Sequence, residues 1–131
     1  MSYFMTDWLE EENEGFELRS LLDKEGSSDQ IKPRVISYLE DFARQPKGRY
    51  IIVAWLNNRG ALNVVEPFIF QYLEKNVQEI NTQFLLTAWL NAKGQLKIIQ
   101  PYIVQYLDKN IKEAEASFVL KAWIENKGEL K

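Results

Sequence analysis

The side chains of this 131-residue chain that could do chemistry are few in kind, because it contains no histidine and no cysteine. The commonest metal ligand, the usual near-neutral proton carrier, thiolate metal sites and disulfides are therefore all out of reach. Carboxylates remain. Glu10, Glu11, Glu12 and Glu14 crowd one short stretch and could be read as an oxygen-only metal cluster, but the same run is expected as the solvated face of a terminal cap. Glu40, Glu74 and Asp108 could act as acid and base, yet they recur at one exposed helical position, which fits solvation better than a pocket. There is no Gly-rich phosphate loop and no nucleophile paired with a base. The sequence predicts a protein that is not an enzyme and uses no cofactor or metal.

Aromatic rings are the next candidates. Trp55, Trp89 and Trp123 could stack on bases or grip a proline-rich peptide, but each follows an alanine inside a wide apolar arc, and core packing is the expectation. Tyr38, Tyr72 and Tyr106 are expected to face the core with their hydroxyls reaching neighbouring carbonyls. The positions that packing leaves free are polar arcs on successive helices: Arg49, Val53 and Asn57, then Gln83, Thr87 and Asn91, then Ser117, Lys121 and Glu125. Stacked, they would form a ladder on one face, the candidate partner-binding face. The rungs differ between copies. Such a ladder cannot grip a repeating ligand with equal contacts; it either binds one irregular peptide or faces water.

The elements that must position these residues follow from a 34-residue period. Pro33, Pro67 and Pro101 keep the register, as do the three tyrosines, the three tryptophans, and Gly60, Gly94 and Gly128. One domain over residues 1–131 is expected, with a degenerate capping repeat at 1–29 and repeats at 30–63, 64–97 and 98–131. In the first helix of each unit, Asn63 is expected to cap the start, with Glu66 completing a capping box and Asp29 in the matching place one repeat earlier. Pro67 would then lie in the first turn, where no internal acceptor is lost. In the second helix, residues 84, 85, 86, 88, 89 and 90 wrap most of the wheel, leaving the polar arc at 83, 87 and 91. The glycine after it is expected to take the left-handed closing conformation. The capping repeat reads as a helix from Ser2 to about Glu12 and a second through Phe16-Glu-Leu-Arg-Ser-Leu-Leu-Asp-Lys-Glu-Gly26.

Eight short helices in four hairpins, with proline near the start of the first helix and glycine closing the second, resemble the HEAT-like class of α-solenoids. The resemblance implies an all-α fold, a right-handed α-solenoid of about four helical hairpins. The W-x-x-L-G-x-x-Y helix of tetratricopeptide repeats is absent; here that helix reads P-F-I-F-Q-Y-L-E-K. The A-W-[LI]-x-x-[KR]-G unit also resembles repeats in bacterial multidomain regulatory proteins, which implies an interaction role.

Of 19 acids and 16 bases, nine acids and two bases fall in residues 1–30, leaving the rest of the chain net basic. Helix-end placement accounts for many of those bases, Lys75, Lys93 and Lys109 among them. A non-catalytic protein–protein interaction module or small adaptor is the leading reading, with a protein or peptide partner. Nucleic-acid binding is the alternative, although the cations are dispersed and countered by acids. Trp123, Ile124 and Leu130 have no following hairpin, so homodimerisation through that uncapped C-terminal end is also expected. The N-terminal segment lacks signal-peptide features and no apolar run could span a bilayer, so the expected location is cytoplasmic.

Overall fold

The computed structural model describes residues 15–126. Among them every regular element is a helix, and there are seven: α1 (15–25), α2 (Lys32–Phe42), α3 (Pro46–Asn57), α4 (Leu62–Asn76), α5 (Thr82–Asn91), α6 (Leu96–Asn110) and α7 (Ala116–Glu125). The helix expected at Ser2 to Glu12, the glutamates at 10, 11, 12 and 14, Gly128 and Leu130 lie outside the described residues. The spans of α4 and α6 are related by the 34-residue period without a slip. α3 packs on α5 and α5 on α7, while α4 lies against α2, α3 and α5 and α6 against α5 and α7.

The starts of the long helices differ from expectation. α4 begins two residues before Val64, from an extended Ala61, and no side chain caps it. Asn63 is therefore inside the helix, and Glu66 turns away to accept a hydrogen bond from Trp89 Nε1–H at 2.9 Å. A buried indole N–H without an acceptor is costly, and that need outweighs a solvent-accessible capping box. No capping bond forms at the earlier repeat either, where α2 follows Ile31 directly. Pro67 and Pro101 consequently sit sixth in α4 and α6, each deleting one i→i−4 bond. Of the three prolines in register only Pro33 is a helix-start residue, in α2, and there Ser28 O already accepts from the backbone of Ile31 and Lys32.

The second helices end in a Schellman motif. Gly60 N–H donates to Trp55 O and Arg59 N–H to Leu56 O; Gly94 and Lys93 repeat both bonds with Trp89 and Leu90. After α1 the left-handed residue is Gly26 (φ 80°), as expected, but after α3 and α5 it is not the glycine: it is Arg59 (φ 69°) and Lys93 (φ 67°). The glycines are there for space: a Cβ on Gly60 would stand 2.3 Å from Trp55 Cε2, and one on Gly94 2.6 Å from Trp89 Nε1.

The tryptophans form the core. Trp55, Trp89 and Trp123 are 2%, 0% and 1% exposed, and Tyr38, Tyr72 and Tyr106 are as deeply buried. Phe70 of α4, Trp89 of α5 and Tyr102 of α6 share one ring cluster with centroids 5.5 to 6.2 Å apart, so aromatic edges tie three consecutive helices together. Repeated amides fasten neighbouring units. Asn76 Nδ2 donates to Arg44 O and Tyr72 O, and Asn110 Nδ2, one period later, to Gln78 O and Tyr106 O.

Candidate functional site

The surface left open by this packing is not the one a helical wheel singles out. At about 100° per residue, positions 83, 87 and 91 lie at roughly 0°, 40° and 80° around α5, and 84 at about 100°. The structure buries Gln83 to 5% exposure and leaves Phe84 at 53%. The open arc is therefore 84, 87 and 91, turned by a fraction of a residue from the expected one. Arg49 is likewise buried, at 4%, beside an exposed Tyr50 at 48%.

Phe84 and Tyr50 belong to a series. Phe16, Tyr50, Phe84 and Phe118 stand at the same place in α1, α3, α5 and α7, one period apart, and each is about half exposed or more. Single exposed apolar residues need no explanation, but four aromatic rings in register, three of them on the side-by-side helices α3, α5 and α7 and the fourth sharing a pocket with Tyr50, make one stripe. Pockets open between successive rings. One is walled by Phe16 and Tyr50, the next by Tyr50 and Phe84, the third by Phe84 and Phe118, with volumes of 610, 320 and 480 Å³. These are of the size that holds a compact ligand group.

Six of the nine predicted face residues line the second and third pockets: Arg49, Val53, Asn57, Gln83, Thr87 and Asn91. Ser117, Lys121 and Glu125 are exposed on α7 beyond Phe118, and the Ser117 hydroxyl donates to Ala114 O at 2.7 Å. What the wheel missed is the aromatic stripe and Arg19, which lines the first two pockets. The recurrence of an aromatic residue at positions 16, 50, 84 and 118 was the available signal. Every apolar position of so greasy a helix reads as buried, which hides that signal.

The electrostatics of the stripe are uneven. Arg49 Nη1 donates to Tyr72 Oη at 2.9 Å, and its guanidinium lies 4.8 Å from the Tyr50 ring centre and 5.8 Å from that of Tyr72. Arg19 approaches Tyr50 from α1 at 6.0 Å. Among the described residues no carboxylate pairs with either arginine. Asp23 also lines the second pocket, but its Oδ1 accepts from Asn58 Nδ2. At the other end Glu115 lines the third pocket.

Among the described residues no cluster of three or more acidic side chains is placed to hold a metal ion, and no helix is long and apolar enough to cross a membrane. Glu40, Glu74 and Asp108 are exposed, and Glu74 lies 3.8 Å from Arg44. No protein-family model matches the chain, and no curated protein or solved structure matches it.

Proposed function

We propose that the chain is a non-catalytic protein–protein interaction module, a small cytoplasmic adaptor built as a right-handed α-solenoid of HEAT-like hairpins, which receives a peptide segment of its partner along the aromatic stripe. The observation that carries this reading is the line of Phe16, Tyr50, Phe84 and Phe118, exposed in register with a pocket between each pair. Rigid aromatic rings supply large contact area at small entropic cost, which is why they dominate binding hot spots. The supporting helices are held by buried tryptophans and amide staples, so the rings are presented by a fixed frame.

A nucleic-acid ligand is less well served. Asp23, Glu115 and Glu125 are spread along or beside the same stripe, so a backbone charged at every nucleotide would meet one of them wherever it ran, which a ligand with a single carboxylate need not. Homodimerisation is a narrower proposal. Trp123, although no hairpin follows it, is buried as core packing predicts, so the apolar surface available near that end is Ile124, 67% exposed, and Ile111, 54%.

Selection of a displayed random-peptide library against the protein tests the main reading. Enrichment of a shared motif that is lost against the Phe84→Ser, Phe118→Ser double variant is expected. Selection that converges on nothing, or on the same motif with the double variant, would overturn it.

A further inference from the structure

Resting on that reading of the stripe, we infer that its ligand is an extended acidic peptide whose carboxylate enters the pocket between Tyr50 and Phe84 and whose apolar residue three positions along fills the pocket between Phe84 and Phe118. Arg49 carries the first half. It is 4% exposed, one of its N–H groups is used by Tyr72 Oη, and among the described residues no carboxylate lies within ion-pair distance of it. A guanidinium held this deep is normally paired with a carboxylate or phosphate, because a buried charge without a partner is strongly unfavourable. Arg49 and Arg19 line the pocket together with one carboxylate, Asp23, whose Oδ1 accepts from Asn58 Nδ2. Two guanidiniums against one carboxylate leave the pocket net positive, and a guanidinium suits a planar carboxylate as its further partner.

Spacing carries the second half. Helices in contact lie about 8–10 Å apart, so the rings of α3, α5 and α7 repeat at about that interval. A polyproline-II strand advances about 9 Å per three-residue turn. One turn per helix puts every third side chain against a successive pocket. That backbone has no internal hydrogen bonds, and Gln83, buried at 5% exposure in the wall of the third pocket, has no side-chain hydrogen bond among the described residues. Its amide is the group available to meet the peptide backbone where the strand passes Phe84.

Fluorescence anisotropy with a labelled Glu-Pro-Pro-Leu-Pro-Pro-Leu peptide and its Lys-Pro-Pro-Leu-Pro-Pro-Leu counterpart tests the inference on the full chain. The glutamate peptide is expected to bind roughly tenfold or more tightly than the lysine peptide, the lower bound for a buried charge pair. That preference should vanish in Arg49→Gln and shrink in Arg19→Gln, the second variant lying on the surface where the fold does not depend on it. Equal binding of the two peptides, or a preference unchanged in both variants, overturns the acidic specificity; loss of all binding in Phe84→Ser would then leave the stripe standing as a docking face. No binding of either peptide, or binding indifferent to Phe84→Ser, overturns the inference, while the library selection judges the stripe independently.

Discussion

Trp55, Trp89 and Trp123 fill one slot in three copies, yet their indole N–H groups meet different ends. Trp55 donates to Ala61 O and Trp89 to Glu66, whereas Trp123 Nε1 has no acceptor among the described residues. The ring, not its polar edge, is what the repeat keeps, and Gly60 and Gly94, five residues after Trp55 and Trp89, leave room for it. Gly94→Ala should cost about 1–3 kcal/mol, since the new methyl meets both Trp89 and Ile99 Cδ1. Arg59→Gly should instead gain up to about 1 kcal/mol by releasing a left-handed side-chain-bearing residue. Thermal melts of the two variants distinguish space from conformation: a destabilised Arg59→Gly with a neutral Gly94→Ala would mean the glycine is kept for its dihedral freedom after all. Tyr106 offers a pH test. Burial first, then Glu115 and Glu113, raise its phenol above 10.0. The unfolded chain therefore gives up this proton at a lower pH than the native state does, so the stability it contributes is full below pH 10 and declines as pH climbs through the native value. Tyr106→Phe loses the bond to Ile80 O, a cost of about 1 kcal/mol at neutral pH. Denaturant titrations should show that deficit narrowing above pH 10; a constant deficit would rule the linkage out.

At the scale of the helix, the legible features were those written into each copy. Period, helix ends and the burial of the tryptophans and tyrosines all follow from residues that recur. The features that depend on a neighbour were not. A wheel drawn for α5 alone cannot say that Gln83 is buried in a pocket wall shared with Glu115 and Phe118 of the next unit while Phe84 stays open, because the neighbours come from elsewhere in the chain. Asn63 and Glu66 make a plausible capping box until Trp89 is placed within reach of the glutamate. The amide staples were invisible for the same reason, since Asn76 and Asn110 read as polar helix ends. Their importance can be measured. Asn110→Ala leaves Gln78 O and Tyr106 O without that donor in a buried place and should cost about 1–3 kcal/mol by denaturant unfolding. Asn126→Ala, whose bond to Asn91 is exposed, should cost less than about 1 kcal/mol. Equal losses would show that the staple matters only as local helix capping.

Across the whole molecule, the packed and the open sides of the same helices are separate. α5 turns Leu85, Leu86, Trp89 and Leu90 inward and Phe84, Thr87 and Asn91 outward, so the open face can change without disturbing the frame. If the helices stack as an α-solenoid, each unit is stabilised mainly by its immediate neighbours, and protection should grade along the array. α5 is buttressed by α3 and α7 as well as by α4 and α6, and the ring cluster of Phe70, Trp89 and Tyr102 lies around it. Native-state hydrogen exchange should therefore find the slowest amides in α4 and α5, with α1 and α7 opening at lower free energy. Trp89→Ala, which empties the middle of that cluster at a cost of about 3–5 kcal/mol, should flatten the gradient by lowering the centre toward the ends. Uniform protection in the parent protein, lost everywhere at once in the variant, would instead mark a single cooperative core and remove the stacked-unit description on which the regular spacing of the stripe depends.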